Sequence, residues 1–202
     1  MANATSANLK LTVQTTGENS GTWGQITNTN LLILEQAIGG YGAFGVTNAS
    51  RSLTFTNGAV SDGKDQVIKL SGTLSASVTV SMPDSVEKTY IVEDACNHAG
   101  YTLTFKTTSG TGVLLCEGHT YGLWSDGTNV YKGSELKKWR AITAAETVQA
   151  GAQLAVNTNG GGVTVTLPAS PTIGDEVSFI DQGYDWDSNN LIVAQNGTNI
   201  VN

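Results

Sequence analysis

The sequence predicts a mostly β protein, in which an N-terminal arm and one amphipathic helix precede two related units of antiparallel strands, each a β-sandwich or small barrel. Apolar and polar residues alternate in short runs, and turn-forming pairs such as Asn57-Gly58 and Asp126-Gly127 separate these runs. The 202 residues also include 24 glycines and only 3 prolines. This combination is typical of short strands joined by tight turns.

Residues 1–50 are interpreted as an attachment arm, a helix and a linker. Leu9, Leu11 and Val13 alternate within the arm, so this patch is expected either to pair as a single strand or to lie along another protein. Residues 22–38 predict an amphipathic helix, because apolar residues recur there at intervals of three and four. Thr22 is the expected N-cap of this helix, and residues 39–40, both glycine, are the expected stop.

The predicted helix carries more apolar surface than one small β-unit can cover. Leu31 and Ile33 fall outside its main face, so we expect partners on several sides. The helix is therefore predicted to form an assembly contact, with Trp23 and Leu34 as its anchors. The expected interface residues are Trp23, Ile26, Asn30, Leu34 and Ile38.

The rest of the chain is divided into a first β-domain (residues 51–133), a connector (134–150) and a second, incomplete β-domain (151–202). An internal repeat supports this division. Residues 78–83 recur as 163–168, residues 90–94 as 177–181, and residues 103–105 as 191–193. Repeated β-units along one chain are typical of extended, rod-like proteins.

Charge and hydropathy exclude several classes of function. The formal net charge is −7 and the pI is about 4.6, which disfavours binding to nucleic acid. The one basic cluster, residues 137–140, is interpreted as a solvated linker. Residues 31–34 form an apolar run far too short for a bilayer, so no membrane insertion is expected.

Two motifs suggest bound groups, but the sequence favours neither. Gly40-x-Gly42-x-x-Gly45 matches a dinucleotide-binding string, yet it follows a predicted helix instead of opening one. All cysteines and histidines lie close together in sequence, at Cys96, His98, Cys116 and His119. They could form a zinc site, or they could be buried structural side chains. The structural interpretation is preferred, so no metal and no cofactor are expected.

Residues 181–190 form a polar loop with two aromatic side chains. Asp185-x-Asp187-x-Asn189 begins like a calcium loop, but Asn190 and Asn196 stand where glycine and glutamate are needed. Tyr184 and Trp186 of this loop are candidate glycan contacts. This loop leaves two alternatives open, a glycan-binding lectin or adhesin module and, less favoured, a polysaccharide depolymerase spike that uses paired carboxylates.

Three segments at the start of the chain, residues 16–24, 27–31 and 35–40, resemble the opening of tail-fibre and virion structural proteins of tailed bacteriophages, especially marine and cyanobacterial ones. Residues 70–74 and 125–130 are similar to the β-domain that follows in those proteins, and the resemblance covers most of residues 8–132. It implies a non-enzymatic virion protein made in the bacterial cytoplasm, which forms a homotrimer and supports host-receptor binding. Its N-terminal segment would attach to tail, neck, adaptor or baseplate proteins.

The repeat also predicts an open edge in the second unit. The first unit continues with two strand candidates, residues 121–124 and 129–131, which have no counterpart before Asn202. An uncovered edge and apolar face are avoided by soluble proteins. We therefore expect either that the chain continues beyond Asn202 or that a trimer mate or another virion protein supplies the missing edge.

Overall fold

The computed structural model describes residues 3–197 and is mostly β, with one α-helix. The chain forms two compact units. Unit 1 contains the residues up to 115 together with 120–135, and unit 2 contains residues 116–119 and those from 136 onward.

The strands and the helix alternate with short turns along the chain. The elements up to residue 136 are β1 (Ala4–Thr5), β2 (Thr12–Val13), α1 (Trp23–Gly39), β3 (Tyr41–Gly45), β4 (Arg51–Ser52), a 3-10 helix (Asp62–Lys64), β5 (Val67–Thr73), β6 (Val78–Met82), β7 (Glu87–Asn97), β8 (Leu103–Thr107), β9 (Gly112–Leu115), β10 (Thr120–Asp126) and β11 (Val130–Leu136). The later elements are β12 (Trp139–Ile142), β13 (Glu146–Thr147), β14 (Gln153–Val156), β15 (Val163–Thr166), β16 (Ser178–Asp181) and β17 (Leu191–Ala194).

Unit 1 is a parallel β-solenoid of three coils. Strands β3, β5 and β7 pair in parallel, and β4, β6 and β8 form a second parallel ladder. Because the chain passes from one ladder to the other and back, each coil adds one strand to both. The last coil is closed by antiparallel strands, with β9 on β8 and β10 on β7.

The core of unit 1 lies between its two ladders. Neighbouring strands place residues of the same type side by side, such as Ile68 beside Val92 and Val80 beside Phe105, and these four side chains are buried. Such stacking of equivalent residues in successive coils is how a repeat protein buries a continuous core.

Unit 2 contains the same kind of ladder. Strands β12, β14 and β16 pair in parallel, as do β13, β15 and β17. Val163 lies beside Leu191, just as Val78 lies beside Leu103 in unit 1. The segments that repeat in the sequence therefore occupy equivalent positions in the two ladders.

The predicted antiparallel sandwich or barrel is wrong, because most strand pairs are parallel and join strands one coil apart. Alternation has a period of two in both parallel and antiparallel strands, so it reports which face is buried and not which strand is the neighbour. Turn residues do not distinguish parallel from antiparallel pairing either, since a turn that leads to the opposite ladder has the same composition as a hairpin turn.

Two segments that were expected to be irregular contain strands. The linker after the helix contains β3, and the connector contains β12. Gly40 and Gly42 allow a close approach to the Asp65 carboxylate, because a Cβ on either would collide with it.

Candidate functional site

Helix α1 is attached to the first coil of unit 1 by a single glutamine. Gln36 Nε2 donates to the Ser61 carbonyl (3.1 Å) and to Asp65 Oδ1 (2.8 Å), while Gln36 Oε1 accepts from the Ser61 amide (3.2 Å). Ile33 of the helix is fully buried. The helix therefore has one side fixed against its own chain.

Next to this contact, a buried lysine holds the loop before the 3-10 helix. Lys64 is fully buried, and its Nζ donates to the carbonyls of Thr56 (2.7 Å) and Ala59. Burial disfavours the ammonium ion and, with a smaller effect from the charge of Lys10, lowers the pKa of Lys64. The two carbonyl acceptors compensate this desolvation, so the side chain fits a structural role.

The N-terminal arm is attached to the same helix by Asn30. Asn30 Oδ1 accepts from the Thr12 amide (2.9 Å), and Asn30 Nδ2 donates to the Thr12 carbonyl (2.9 Å). The side-chain amide thus pairs with the backbone of β2 as a neighbouring strand would. This contact lies within the chain, and the assembly role of Asn30 stays a prediction.

Replacing Asn30 with alanine is expected to release the arm, because both backbone groups of Thr12 lose their partner, at a cost of about 1–3 kcal/mol. The measurement is hydrogen exchange of residues 3–15, which should become faster while exchange in β5–β8 stays unchanged. Asn28→Ala is the matched control, since Asn28 is exposed on the same helix. Equal protection of the arm in both variants would contradict the role of Asn30.

An exposed apolar stripe runs along α1 beside the residues that contact the arm. Trp23 is 65% exposed and Ile38 78% exposed, and Leu31 and Leu34 are exposed between them. At 3.6 residues per turn these four residues fall within about 80° of the helix circumference. We call Trp23, Leu31, Leu34 and Ile38 the outer stripe.

The structure corrects the composition of the predicted helix face. Ile33, placed off the main face by the sequence, is the buried residue, and Ile26 is half-buried. Leu31, which the sequence analysis placed outside the main face, belongs to the exposed stripe. The spacing of Thr27, Leu31, Leu34 and Ile38 by four, three and four residues is the signal that identifies it.

Both ends of the predicted helix are close to the observed ones. The helix begins at Trp23, and Thr22 occupies the N-cap position without a capping hydrogen bond from its side chain. The helix ends at Gly39, where the predicted glycine stop lies, and the Gly40 amide donates to the Gln36 carbonyl. No described helix has the length and apolarity to cross a membrane.

The cysteine and histidine residues are placed in different units. Cys96 and His98 are buried in unit 1, whereas Cys116 and His119 belong to unit 2 and are buried there. His98 Nε2 donates to Oδ2 of the buried Asp94 (2.7 Å). Within residues 3–197, no group of three His, Cys, Asp or Glu side chains is arranged to hold a metal ion.

The loop after β16 in unit 2 is organised by the carboxylate of Asp181. Its oxygens accept from the amides of Gly183 (3.1 Å), Tyr184 (2.7 Å) and Trp186 (3.2 Å). Tyr184 is 91% exposed with φ +55°, whereas Trp186 is half-buried. Of the two predicted glycan contacts, Tyr184 is therefore the more available.

Asp185 accepts hydrogen bonds from its own loop and from Thr158, which follows β14. Its Oδ1 accepts from the Thr158 hydroxyl (2.6 Å), and its Oδ2 accepts from the Asn189 amide group (3.2 Å). Asp185, the first residue of the calcium-like motif, therefore has both carboxylate oxygens hydrogen-bonded to other side chains of the protein.

The basic cluster at the start of unit 2 is partly neutralised by acidic neighbours. Arg140 pairs with Glu146 and contacts Glu117 (3.2 Å), and Lys137 lies 3.5 Å from Glu176. Burial lowers the pKa of Arg140, but the hydrogen bond to Glu146 and the charges of both glutamates outweigh this and raise it. These ion pairs leave little positive charge for a phosphate ligand.

Comparison of the chain with protein-family models, with curated proteins and with solved structures gives no match. The fold therefore defines a class only at the level of a parallel β-solenoid protein with an N-terminal helix.

Proposed function

We propose that this chain is a structural, non-enzymatic segment of a bacteriophage tail or neck fibre, and that it assembles as a homotrimer through α1. In this role the N-terminal segment attaches the fibre to tail, neck, adaptor or baseplate proteins of the virion, and the β-units support host-receptor binding. The resemblance of residues 16–40 to phage fibre proteins suggests this class.

The outer stripe of α1 is the observation that carries the proposal. Thr27 and three residues of the stripe, Leu31, Leu34 and Ile38, are spaced by four, three and four residues, as in a coiled-coil seam. Trp23 lies about one helical turn before Thr27. Large exposed apolar residues in one row are costly in water and are typical of a protein contact. A bundle of three copies around one axis would bury this row, with Gln36 fixing the opposite side of each helix.

The solenoid units support the same proposal. Coils that stack on one another form a regular, repeated element within each unit, which is what a fibre segment requires. The polar side chains described above are engaged in intramolecular contacts, which fits a structural protein better than a catalyst.

Leu34→Asp is expected to dissociate the oligomer into monomers, because it places a charge in the centre of the outer stripe. Leu32→Asp is the matched control. Leu32 is 54% exposed, compared with 37% for Leu34, but it lies about 140° from the centre of the outer stripe. Native mass spectrometry measures the number of subunits, and circular dichroism checks that the β-units remain folded.

Three results would contradict the proposal: a wild-type protein that is monomeric, a Leu34→Asp variant that keeps the wild-type mass, or equal dissociation by Leu32→Asp. The first excludes homo-oligomerisation altogether. The other two show that α1 uses a different surface.

The exposure of Tyr184 favours a second candidate, a glycan-binding lectin or adhesin module. An aromatic ring held outward by a hydrogen-bonded loop is a suitable platform for a sugar ring. Glycan-array binding that is lost in Tyr184→Ala but retained in Leu34→Asp would favour this candidate over a purely structural role.

A further inference from the structure

The N-terminal arm is docked on a surface turn of unit 1 that contains an asparagine followed by a glycine. The amide of Gly58 donates to the carbonyl of Lys10 in the arm (2.7 Å). Gly58 has φ +58°, and a Cβ placed on it would lie 2.5 Å from Oγ1 of Thr12. Glycine at this position therefore permits both the conformation of the turn and the close approach of the arm.

The two ends of this turn are fixed by the buried lysine of unit 1. Lys64 Nζ donates to the carbonyls of Thr56 and Ala59. These two residues directly flank Asn57 and Gly58, and the side chain of Asn57 is exposed. The turn is thus anchored at both ends by unit 1, while the arm holds the amide in its middle.

An asparagine followed by glycine can modify itself. The backbone nitrogen of the glycine attacks the carboxamide carbon of the asparagine, and the missing Cβ leaves this approach open. The new N–Cγ bond closes a succinimide ring, while the bond from Cγ to the side-chain nitrogen breaks and ammonia leaves with the amide proton. Water then opens the ring to aspartate or isoaspartate, so the reaction needs no enzyme and no other reactant.

The contact between the arm and Gly58 opposes this reaction at Asn57. The attacking nitrogen must give up its proton, and the hydrogen bond to the Lys10 carbonyl keeps that proton in place. The same bond fixes the peptide plane of Gly58, which must turn before its nitrogen can reach Cγ of Asn57. Loss of the bond is expected to speed the reaction about fivefold, the factor that corresponds to a hydrogen bond of about 1 kcal/mol.

We propose that Asn57 is a self-modification site that becomes reactive when the arm leaves unit 1. While Lys10 accepts from Gly58, Asn57 persists, and after release of the arm it converts through the succinimide to aspartate or isoaspartate. Isoaspartate adds one methylene to the main chain before Gly58. This displaces the Gly58 amide from the position that Lys10 requires, so the modified turn no longer holds the arm.

A second asparagine–glycine pair in the chain provides an internal reference. Asn159 and Gly160 belong to unit 2, and Asn159 is exposed like Asn57. The Asn159 amide donates to Oδ1 of Asn157 (3.0 Å), so its turn is held within unit 2. The conversion rate of Asn159 should therefore not respond to the arm.

The first test measures conversion in the full chain during incubation in mildly alkaline buffer. Peptide mass spectrometry detects the replacement of the side-chain NH2 of Asn57 by OH, and hydrogen exchange followed by NMR reports the protection of the Gly58 amide. In Asn30→Ala, which removes the partner of Thr12 in the arm, conversion of Asn57 is expected to be about fivefold faster than in wild type. Asn28→Ala, the control on the same helix, should keep the wild-type rate.

A double variant ensures that the arm is released. Asn8 Oδ1 accepts from the amide of Glu87 at the start of β7 (3.0 Å), so Asn8→Ala removes a further contact between the arm and unit 1. Asn8→Ala combined with Asn30→Ala should expose the Gly58 amide to exchange. Conversion of Asn57 should then be at least as fast as in Asn30→Ala alone.

The second test asks whether the modification keeps the arm released. A chain in which Asn57 has converted should show faster hydrogen exchange of residues 3–15 than a fresh chain. Asn57→Gln is the matched control, because its longer side chain forms the larger cyclic imide slowly. This variant should keep the arm protected through the same incubation.

The proposal is overturned if Gly58 keeps its wild-type protection in the double variant, because the arm then does not hold this amide. It is also overturned if Gly58 exchanges faster while Asn57 converts at the wild-type rate, if Asn57 and Asn159 accelerate equally, or if the converted chain keeps its arm protected. None of these outcomes depends on the outer stripe of α1, so the subunit mass of the Leu34→Asp variant tests the proposed function separately.

Discussion

Replacing Phe105 with alanine is expected to lower the free energy of unfolding of unit 1 by about 3–5 kcal/mol. Phe105 is fully buried on β8, and its ring centroid lies 5.5 Å from that of Tyr90 on the facing ladder. The phenyl ring therefore fills the space between the two ladders. Its removal leaves a cavity that strands paired on both sides cannot collapse to fill.

Phe105→Leu and Thr104→Ala make this prediction specific. Leucine refills part of the cavity, so its cost should lie between that of wild type and alanine. Thr104 lies one position earlier on β8 and faces the opposite way, so its truncation should cost less than about 0.5 kcal/mol. Urea unfolding, monitored by hydrogen exchange in β6 and β8, gives the change in the free energy of unfolding of unit 1 for each variant. Equal losses for Phe105→Ala and Thr104→Ala would contradict the core position of the ring.

Asp94→Ala is expected to destabilise unit 1 by about 3–5 kcal/mol, because it leaves two buried hydrogen-bond donors without their acceptor, at about 1–3 kcal/mol each. Asp94 is fully buried, where a carboxylate is tolerated only if its oxygens are hydrogen-bonded. Oδ1 accepts from the Cys96 amide (3.0 Å), and Oδ2 accepts from His98 Nε2 (2.7 Å). The alanine variant removes the acceptor of two buried donors at once.

The control for Asp94 is asparagine, which keeps the size of the side chain and an acceptor for the Cys96 amide. Asp94→Asn should cost clearly less than Asp94→Ala. A double-mutant cycle with His98→Leu should show coupling between the two positions, because each single change leaves the other residue without its partner in the core. Strictly additive losses in denaturant unfolding would show that the pair is not an energetic unit.

The sequence was a good guide to single elements. The repeated segment 78–83 contains a strand at residues 78–82, and the predicted helix is displaced by one residue at each end. These elements are decided by local patterns, since alternation and three-to-four spacing reflect which side chains face the interior. The repeat between residues 78–105 and 163–193 could also be recognised from the sequence, because equivalent coil positions require similar side chains.

The sequence did not show which side of α1 meets its own chain. Trp23, Leu34 and Ile38, predicted as assembly contacts, are exposed in the described chain, and the residue that the chain itself buries is Ile33. A helix that is apolar over more than one side gives no periodic signal for which part meets the chain itself. The hydrogen bonds of Gln36 and Asn30, which connect residues 18–29 positions apart in sequence, decide this orientation.

The sequence by itself determined that this protein is mostly β, that one α-helix precedes the solenoid strands, and that two related units follow. Only the tertiary structure decided that the strands pair in parallel between successive coils, that β9 and β10 close unit 1, and which row of α1 is exposed. The physical reason is that burial periodicity records the environment of each residue, whereas strand pairing depends on backbone hydrogen bonds, which every residue type except proline forms alike.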